Sequence, residues 1–435
     1  MVDWMIFNSR NQRRGNIYAP LVGLLMTACE LPKSNITESP RCVLDTTAAC
    51  DATNTNIKDP PAEENNETES SQSESGTPVV KDYAMFVNNS GGTIVLASYD
   101  SSTGVLTPVH ESPWTRKHRL EVYPRSLDPS HLIDYAPGQA QLSVSRLKSR
   151  VVGGALPSTV DTDSVTYSAP SGGIYSFQIS AAKKAVSVFT LNWGVNNSYH
   201  VVNFNDSGQT SFSTATSTLT GNSGQSGAIS QDSFFFFTDH FTHRAYMHRL
   251  DDALMITADP AVVTDICAND VVPGGYPTAS FVHPTMPVFY QTSTYADRVG
   301  SFAIDATTGA LSFISRVITI DRVNTVIFPP TGTFAVVGHG SNGLGFAVHQ
   351  VDSSTGALMS PQFSSSNTTA PLSGARFDLA GKYLFLLKSS TKRLHRVEFD
   401  PVTGYVIDEQ ELQGLGDVTA TPVFFKTTDL VYDLK

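Results

Sequence analysis

The sequence predicts an all-β fold built as a ring of repeats, a β-propeller, and three observations carry that prediction. The first is a turn unit, GSFAIDATTGAL, from Gly300 to Leu311. Phe302 and Ile304 alternate with small or polar neighbours, as a half-buried strand requires. Asp305 ends the strand, Thr308-Gly309 turns the chain, and Leu311 opens a new apolar run. A short carboxylate can accept backbone N–H groups two or three residues on, and glycine can take the positive φ that closes such a loop. The second observation is recurrence. The pattern D-x-x-T-G-x-L returns at Asp352 to Leu358 and Asp100 to Leu106, and with Val406 for Leu at Asp400 to Val406. The third is spacing: Gly309, Gly356 and Gly404 lie 47 and 48 residues apart, and Gly104 precedes Gly309 by 205, about four such periods. A period of roughly 40–50 residues, filled with short strands and turn signals, marks a propeller blade.

Residues 1–15 carry Arg10, Arg13 and Arg14, and an apolar run follows from Ile17 to Ala28. A dozen residues cannot span a bilayer, which takes roughly 20, but they suit the apolar segment of a secretory signal. The run closes on Leu25-Met26-Thr27-Ala28-Cys29, which resembles the lipobox of bacterial lipoproteins, with Met26 where Leu is usual. The resemblance implies a signal peptide over 1–28 and a mature chain that starts at a lipidated Cys29, anchored to a membrane of the bacterial cell envelope and facing out of the cytoplasm.

Residues 29–81 are poor in large apolar side chains and rich in Ser, Thr, Asn and Glu, as in NNETESSQSESGTP. Such a segment buries too little surface to offset its ordering entropy, so it is expected to be a disordered tether. Cys42 and Cys50 lie within it and could pair as a disulfide in an oxidising compartment.

The propeller is expected over 82–435. From Tyr83 the remaining 353 residues divide into about seven units of about 50, so seven four-stranded blades are expected. Strand-like runs fall at HLIDYAP (131–137), AVSVFTL (185–191) and FFFFTDH (234–240). Four consecutive phenylalanines fit a strand covered on both faces, as an inner blade strand is. LVYDL, at 430–434, looks like another first strand, expected to complete the same ring that Ala84-Met85-Phe86-Val87 opens, so that the termini close the propeller together.

These repeats resemble the lactonase family of seven-bladed propellers, which includes 6-phosphogluconolactonase. The hairpin units and GKYLFLLKSSTKRLHRVEFDPVTG (381–404) carry the resemblance. So does FFFTDHFTHRAYMHRLDD (235–252), in which Asp239 and Arg244 match the family's pattern while His240, Phe241 and His243 depart from it. The family's enzymes hold Arg and His in a G-P-R-H stretch and Glu one strand later, as the acid–base and anion-holding groups. Here Thr278 stands for Arg, Ala279 for His, and Thr292 or Ser293 for Glu. Opening a lactone needs a base to activate water and donors to hold the oxyanion. The resemblance therefore implies the fold without the reaction.

Other signals are weaker. Gly338 to Gly343 matches G-x-G-x-x-G, but an alternating strand follows instead of the helix a dinucleotide needs, so a hairpin loop is expected. Asp239, His240, His243 and His248 cluster in sequence, yet His248 belongs to the next strand, so a polar binding surface of Asp239, His240, His243 and Arg244 is expected and no metal or cofactor. A formal net charge of −11 speaks against a nucleic-acid partner. The expected role is a binding module for a protein or small-molecule ligand. A diverged lactonase rebuilt on Asp239, His243 and Arg244 is the alternative, and a structural envelope protein the third reading.

Overall fold

The computed structural model describes residues 80–88, 93–112, 119–123, 131–135, 141–146, 148–151, 164–168, 173–180, 185–191, 198–203, 214–219, 224–231, 233–239, 242–257, 262–266, 277–293, 297–319, 323–339, 345–365, 375–388, 391–427 and 430–433. Cys29, Cys42, Cys50 and His240 lie outside the described residues.

The described residues form strands and turns, without a helix. In chain order, sheet 1 holds β1 (Lys81–Val87), β2 (Ile94–Asp100) and β3 (Val105–Ser112). Sheet 2 holds β4 (Arg119–Tyr123), β5 (His131–Tyr135), β6 (Gln141–Arg146) and, beyond the short β7 (Lys148–Val151), β8 (Ser164–Ser168). Sheet 3 is β9 (Gly173–Ser180), β10 (Ala185–Leu191), β11 (Ser198–Asn203) and β12 (Thr214–Thr218). Sheet 4 is β13 (Gly224–Ser230), β14 (Phe234–Asp239), β15 (Arg244–Arg249) and β16 (Val262–Asp265). Sheet 5 is β17 (Pro277–Val282), β18 (Val288–Ser293), β19 (Arg298–Ile304) and β20 (Leu311–Ile318). Sheet 6 is β21 (Val323–Ile327), β22 (Phe334–His339), β23 (Phe346–Val351) and β24 (Leu358–Ser365). Sheet 7 is β25 (Arg376–Phe377), β26 (Tyr383–Lys388), β27 (Arg393–Phe399) and β28 (Val406–Glu411). Then come β29 (Val423–Thr427), which joins sheet 1 beside β1, and β30 (Leu430–Asp433).

Each sheet is an antiparallel meander, and the first strands of successive sheets adjoin: β9 beside β13, β13 beside β17, β17 beside β21, β29 beside β4. First strands therefore line the centre, fourth strands the rim, and the protein is a β-propeller of four-stranded blades. Alternate side chains of each sheet supply two different cores. Phe235 and Phe237 pack towards sheet 3 with Tyr199 and Val201, whereas Phe234 and Phe236 pack towards sheet 5 with Phe289 and Phe302. The phenylalanine run is thus buried on both faces, as expected, and forms the second strand of its sheet.

The closing strand differs from expectation. Val423–Thr427 pairs with β1, Met85 opposite Val423 and Lys81 opposite Thr427, whereas Leu430–Asp433 pairs with β7. The reason lies in burial on two sides. Phe424 enters the core shared with sheet 7, and Val423 and Phe425 enter the core shared with sheet 2. The G-x-G-x-x-G stretch joins β22 to β23, antiparallel with Gly338 opposite Phe346, as a hairpin requires; Gly340 to Leu344 lie outside the described residues.

All four D-x-x-T-G units connect the third and fourth strands of a sheet, and each aspartate caps its own turn. Asp305 Oδ1 accepts the N–H groups of Thr307 (3.0 Å) and Thr308 (2.7 Å), and Gly309 N–H bonds back to Asp305 O at 2.7 Å. The hairpins then dock on the preceding blade. Tyr290 Oη donates to Gly356 O at 2.7 Å, Gln350 Nε2 to Thr403 O at 3.3 Å, and Tyr383 Oη to Ser102 O at 2.7 Å. Arg249 donates to Thr307 O and Arg396 to Thr103 O. The glycine is required twice over, for positive φ and for this approach. A Cβ on Gly356 (φ +74°) would lie 2.5 Å from Val288 Cγ2, and one on Gly309 (φ +72°) 2.5 Å from Met247 Cε.

Candidate functional site

In a meander that runs from centre to rim, connections between first and second and between third and fourth strands share one face of the ring. Those between second and third strands lie on the other face, with the starts of the first strands. Asp239 ends β14 and Arg244 begins β15, so this hairpin opens on the face opposite the D-x-x-T-G turns. Asp239 pairs with Arg244 on one side and with Gly224, at the start of the innermost strand, on the other. That places it at the mouth of the channel.

The hairpin copies the scaffold turn in a different setting. Asp239 Oδ1 accepts Thr242 N–H at 3.2 Å, and His243 N–H bonds back to Asp239 O at 3.1 Å. His243 therefore stands where Gly309 stands in its own turn, and it holds φ +58°. The same left-handed conformation recurs immediately before the third strand of sheets 5 and 7, at Asp297 (φ +50°) and Lys392 (φ +56°), so it belongs to this type of hairpin. Asp239 is 2% exposed, His243 half-buried and Arg244 exposed. The structure thus brings Asp239, His243 and Arg244 into one hairpin. His248 does not join them. It is buried in the core shared with sheet 3, its ring stacked 6.0 Å from that of Phe237, and burial holds its pKa below the usual histidine value.

Sheet 5 carries the positions at which the sequence lacks Arg, His and Glu. The register of β17 on β18 slips between Pro277, opposite Ser293, and Ala279, opposite Thr292, which leaves Thr278 as the extra residue of a bulge. Thr292 Oγ1 repairs the ladder by accepting Ala279 N–H at 3.0 Å and donating to Ala279 O at 3.2 Å. Thr278 Oγ1 sits 3.1 Å from Thr292 Oγ1 and 3.5 Å from Val323 O of the next blade. Similar slips occur at the starts of β13 and β21, so the channel mouth is irregular in three consecutive sheets.

A chain of neutral groups joins the two stretches. Gln291 Nε2 donates to Thr292 O at 3.0 Å, Ser280 Oγ donates to Gln291 Oε1 at 3.0 Å, and Ser280 Oγ lies 3.2 Å from Thr238 Oγ1, the neighbour of Asp239. Ser293 Oγ, at the end of β18, is buried without a hydrogen-bond partner, which costs about 1–3 kcal/mol if left dry. Thr238, Ser280 and Gln291 were not singled out by sequence. Their only signal is small polar residues at alternating positions in strands that should be buried. Alcohols and an amide can orient a ligand's hydroxyls, but they offer no group that exchanges a proton near neutral pH.

No protein-family model matches this chain, and no curated protein matches it by sequence. Solved structures do. A candidate 6-phosphogluconolactonase from Bacteroides uniformis aligns over 79% of this chain and 99% of its own, with a TM-score of 0.60 and 14% identity. A second, from Bacteroides fragilis, covers 82% and 99% with a TM-score of 0.59 and 15% identity. The periplasmic gluconolactonase of Pseudomonas aeruginosa covers 80% and 99%, again with a TM-score of 0.59 and 15% identity. The chain shares the fold of these propellers. At such identities the likeness speaks for architecture and leaves the chemistry to the residues.

Proposed function

We propose that this chain is an exported, lipid-anchored propeller of seven blades that acts as a binding module for a protein or small-molecule ligand and does not hydrolyse lactones. The contact of Thr278 Oγ1 with Thr292 Oγ1, 3.1 Å apart, carries this reading. Where the lactonase resemblance calls for a cation and a carboxylate, two hydroxyls satisfy each other, and Ala279 between them has no functional group. The seven four-stranded sheets support the blade count. The ligand surface is the hairpin with Asp239, His243 and Arg244, together with His240, beside the hydroxyl chain of sheet 5.

Hydrolysis of glucono-δ-lactone, followed by proton release, tests the reading. Wild type is expected to match the uncatalysed rate, and His243→Ala to change nothing. A wild-type rate well above background that His243→Ala abolishes would replace it with the diverged lactonase. The anchor rests on the lipobox-like run ending at Cys29. Two or more acyl chains hold a protein at a membrane, each buried methylene adding about 0.8 kcal/mol. Cys29→Ser is expected to move the protein from the detergent phase to the aqueous phase, and a mutant that stays in detergent would remove the anchor.

A further inference from the structure

The seam between sheets 7 and 1 holds a cleft of about 410 Å³, on the face of the D-x-x-T-G turns and so opposite the Asp239 hairpin. Its lining includes Asp82, Tyr99, Asp378, Phe424 and Lys426. Tyr99 Oη donates to Asp378 Oδ2 at 2.8 Å, and Asp378 Oδ1 accepts the N–H groups of Lys382 (2.9 Å) and Tyr383 (3.1 Å). Asp378 is 2% exposed, and burial raises its pKa above the ordinary carboxylate value.

The other blades serve as an internal control. The residue before the hairpin aspartate is Ile304, Val351 or Phe399 in the other units, and Tyr99 at this seam alone among the four. The residue in the place of Asp378, in the turn between first and second strands, is His283 in sheet 5 and Pro329 in sheet 6. His283 uses both nitrogens for backbone, accepting Met286 N–H at Nδ1 (3.0 Å) and meeting Gly332 O at Nε2 (2.9 Å). The fold therefore does not need a tyrosine–carboxylate pair here, and burying one is costly.

At the lip, Asp82 and Lys426 are direct cross-strand partners on β1 and β29. They share the sheet face of Ala84 and Phe424, which pack towards sheet 7. Among the described residues neither forms a salt bridge, although opposite charges placed so close ordinarily attract. The lining of the cleft thus combines two carboxylates and one ammonium with the ring edges of Tyr99 and Phe424. That arrangement complements a ligand with an ammonium and a carboxylate on adjacent atoms and an apolar side chain.

We propose that this cleft binds a free α-amino acid, its ammonium held by Asp82 and Asp378, its carboxylate by Lys426, and its side chain against Tyr99 and Phe424. Calorimetry on the full chain tests this with L-phenylalanine, and with phenethylamine and 3-phenylpropionate as ligands that keep one charge each. L-Phenylalanine is expected to bind, and each single-charge analogue about tenfold or more weakly, as the loss of one charge-assisted contact requires. Lys426→Ala and Asp82→Asn, both at the open lip, are expected to weaken L-phenylalanine to the level of the matching analogue. Tyr99→Phe, which keeps the ring, is expected to weaken it as well, with an unchanged circular-dichroism spectrum. No binding to wild type, equal binding of phenethylamine, or binding that survives Lys426→Ala and Asp82→Asn would each overturn the proposal. The site lies across the ring from the Asp239 hairpin, so these outcomes leave the lactone assay unaffected.

Discussion

Asp305 and Asp239 cap their turns in nearly the same way, and what differs around them separates scaffold from site. Both accept N–H groups from residues two or three positions on, and both have their backbone carbonyl bonded by the fourth residue. Around Asp305 the fourth residue is Gly309, the carboxylate is exposed, and the pattern occurs four times. Around Asp239 the fourth residue is His243 at φ +58° and the carboxylate is buried; the left-handed residue recurs before the third strand of sheets 5 and 7, at Asp297 (φ +50°) and Lys392 (φ +56°). A feature shared by many blades is what a ring needs to close. The left-handed residue before the third strand is shared too, so what sets the Asp239 hairpin apart from the turn units is its buried carboxylate.

Glycine replacement breaks the scaffold side of that contrast most strongly. Gly356→Ala places a methyl 2.5 Å from Cγ2 of Val288, a stiff side chain on a packed strand, at a φ that alanine avoids. A loss of about 2–4 kcal/mol is expected in urea unfolding. Gly309→Ala meets the flexible end of Met247 at 2.5 Å and the ring of Phe234 at 2.8 Å, and is expected to lose somewhat less because its nearest neighbour can give. Equal losses would mean that backbone strain alone, and not docking on the preceding blade, makes the glycine necessary. On the site side the sign reverses. His243→Gly relieves the left-handed strain and is expected to stabilise by about 0.5–1 kcal/mol. A destabilised variant would show that the imidazole serves the fold.

The repeated turns were legible because their chemistry is local: a carboxylate, the N–H groups that follow it and a glycine lie within five residues. The strands were legible from alternation, as in Phe302 and Ile304. The closing strand was not. VFFKT and LVYDL are equally good strands by composition, and only the demand that Phe424 and Phe425 fill two different cores selects the first. For the same reason the phenylalanine run revealed two-sided burial without revealing that β13 lies inside it. The sequence stretch around Asp239 did fold into one hairpin, but His243's backbone strain has no composition signal. The hydroxyl chain was hidden because Ser and Thr are ordinary strand residues, and its links run between blades, Thr238 to Ser280 and Thr278 to Val323. Tyr99 and Asp378 are 279 residues apart, beyond any local pattern.

Acid sharpens the contrast with the smallest effect. The Ser102 hydroxyl, with Thr103, holds the Asp100 carboxyl down to about 2, and the Ser354 hydroxyl with Thr355 N–H does the same for Asp352, also to about 2. Asp305 and Asp400 are lowered by the Thr308 and Thr403 N–H groups. In the unfolded chain these groups titrate near pH ~4. A carboxylate whose pKa is depressed by folding stabilises fully above that value, and its contribution disappears as the pH falls towards 2. Asp378 acts in the opposite sense, because burial raises its pKa and protonation then favours the folded form. Four turn caps, together with the buried His200, His248 and His283 and the half-buried His395, whose pKa values burial lowers, against one buried carboxylate predict a net loss of stability on acidification. Urea midpoints at pH 6, 4 and 2.5 should fall for wild type. They should fall less steeply when all four turn aspartates are replaced by asparagine, which keeps one accepting oxygen but cannot titrate. Parallel slopes would show that the caps are not the acid-sensitive part of the ring, and would move that role to the buried groups of the opposite face.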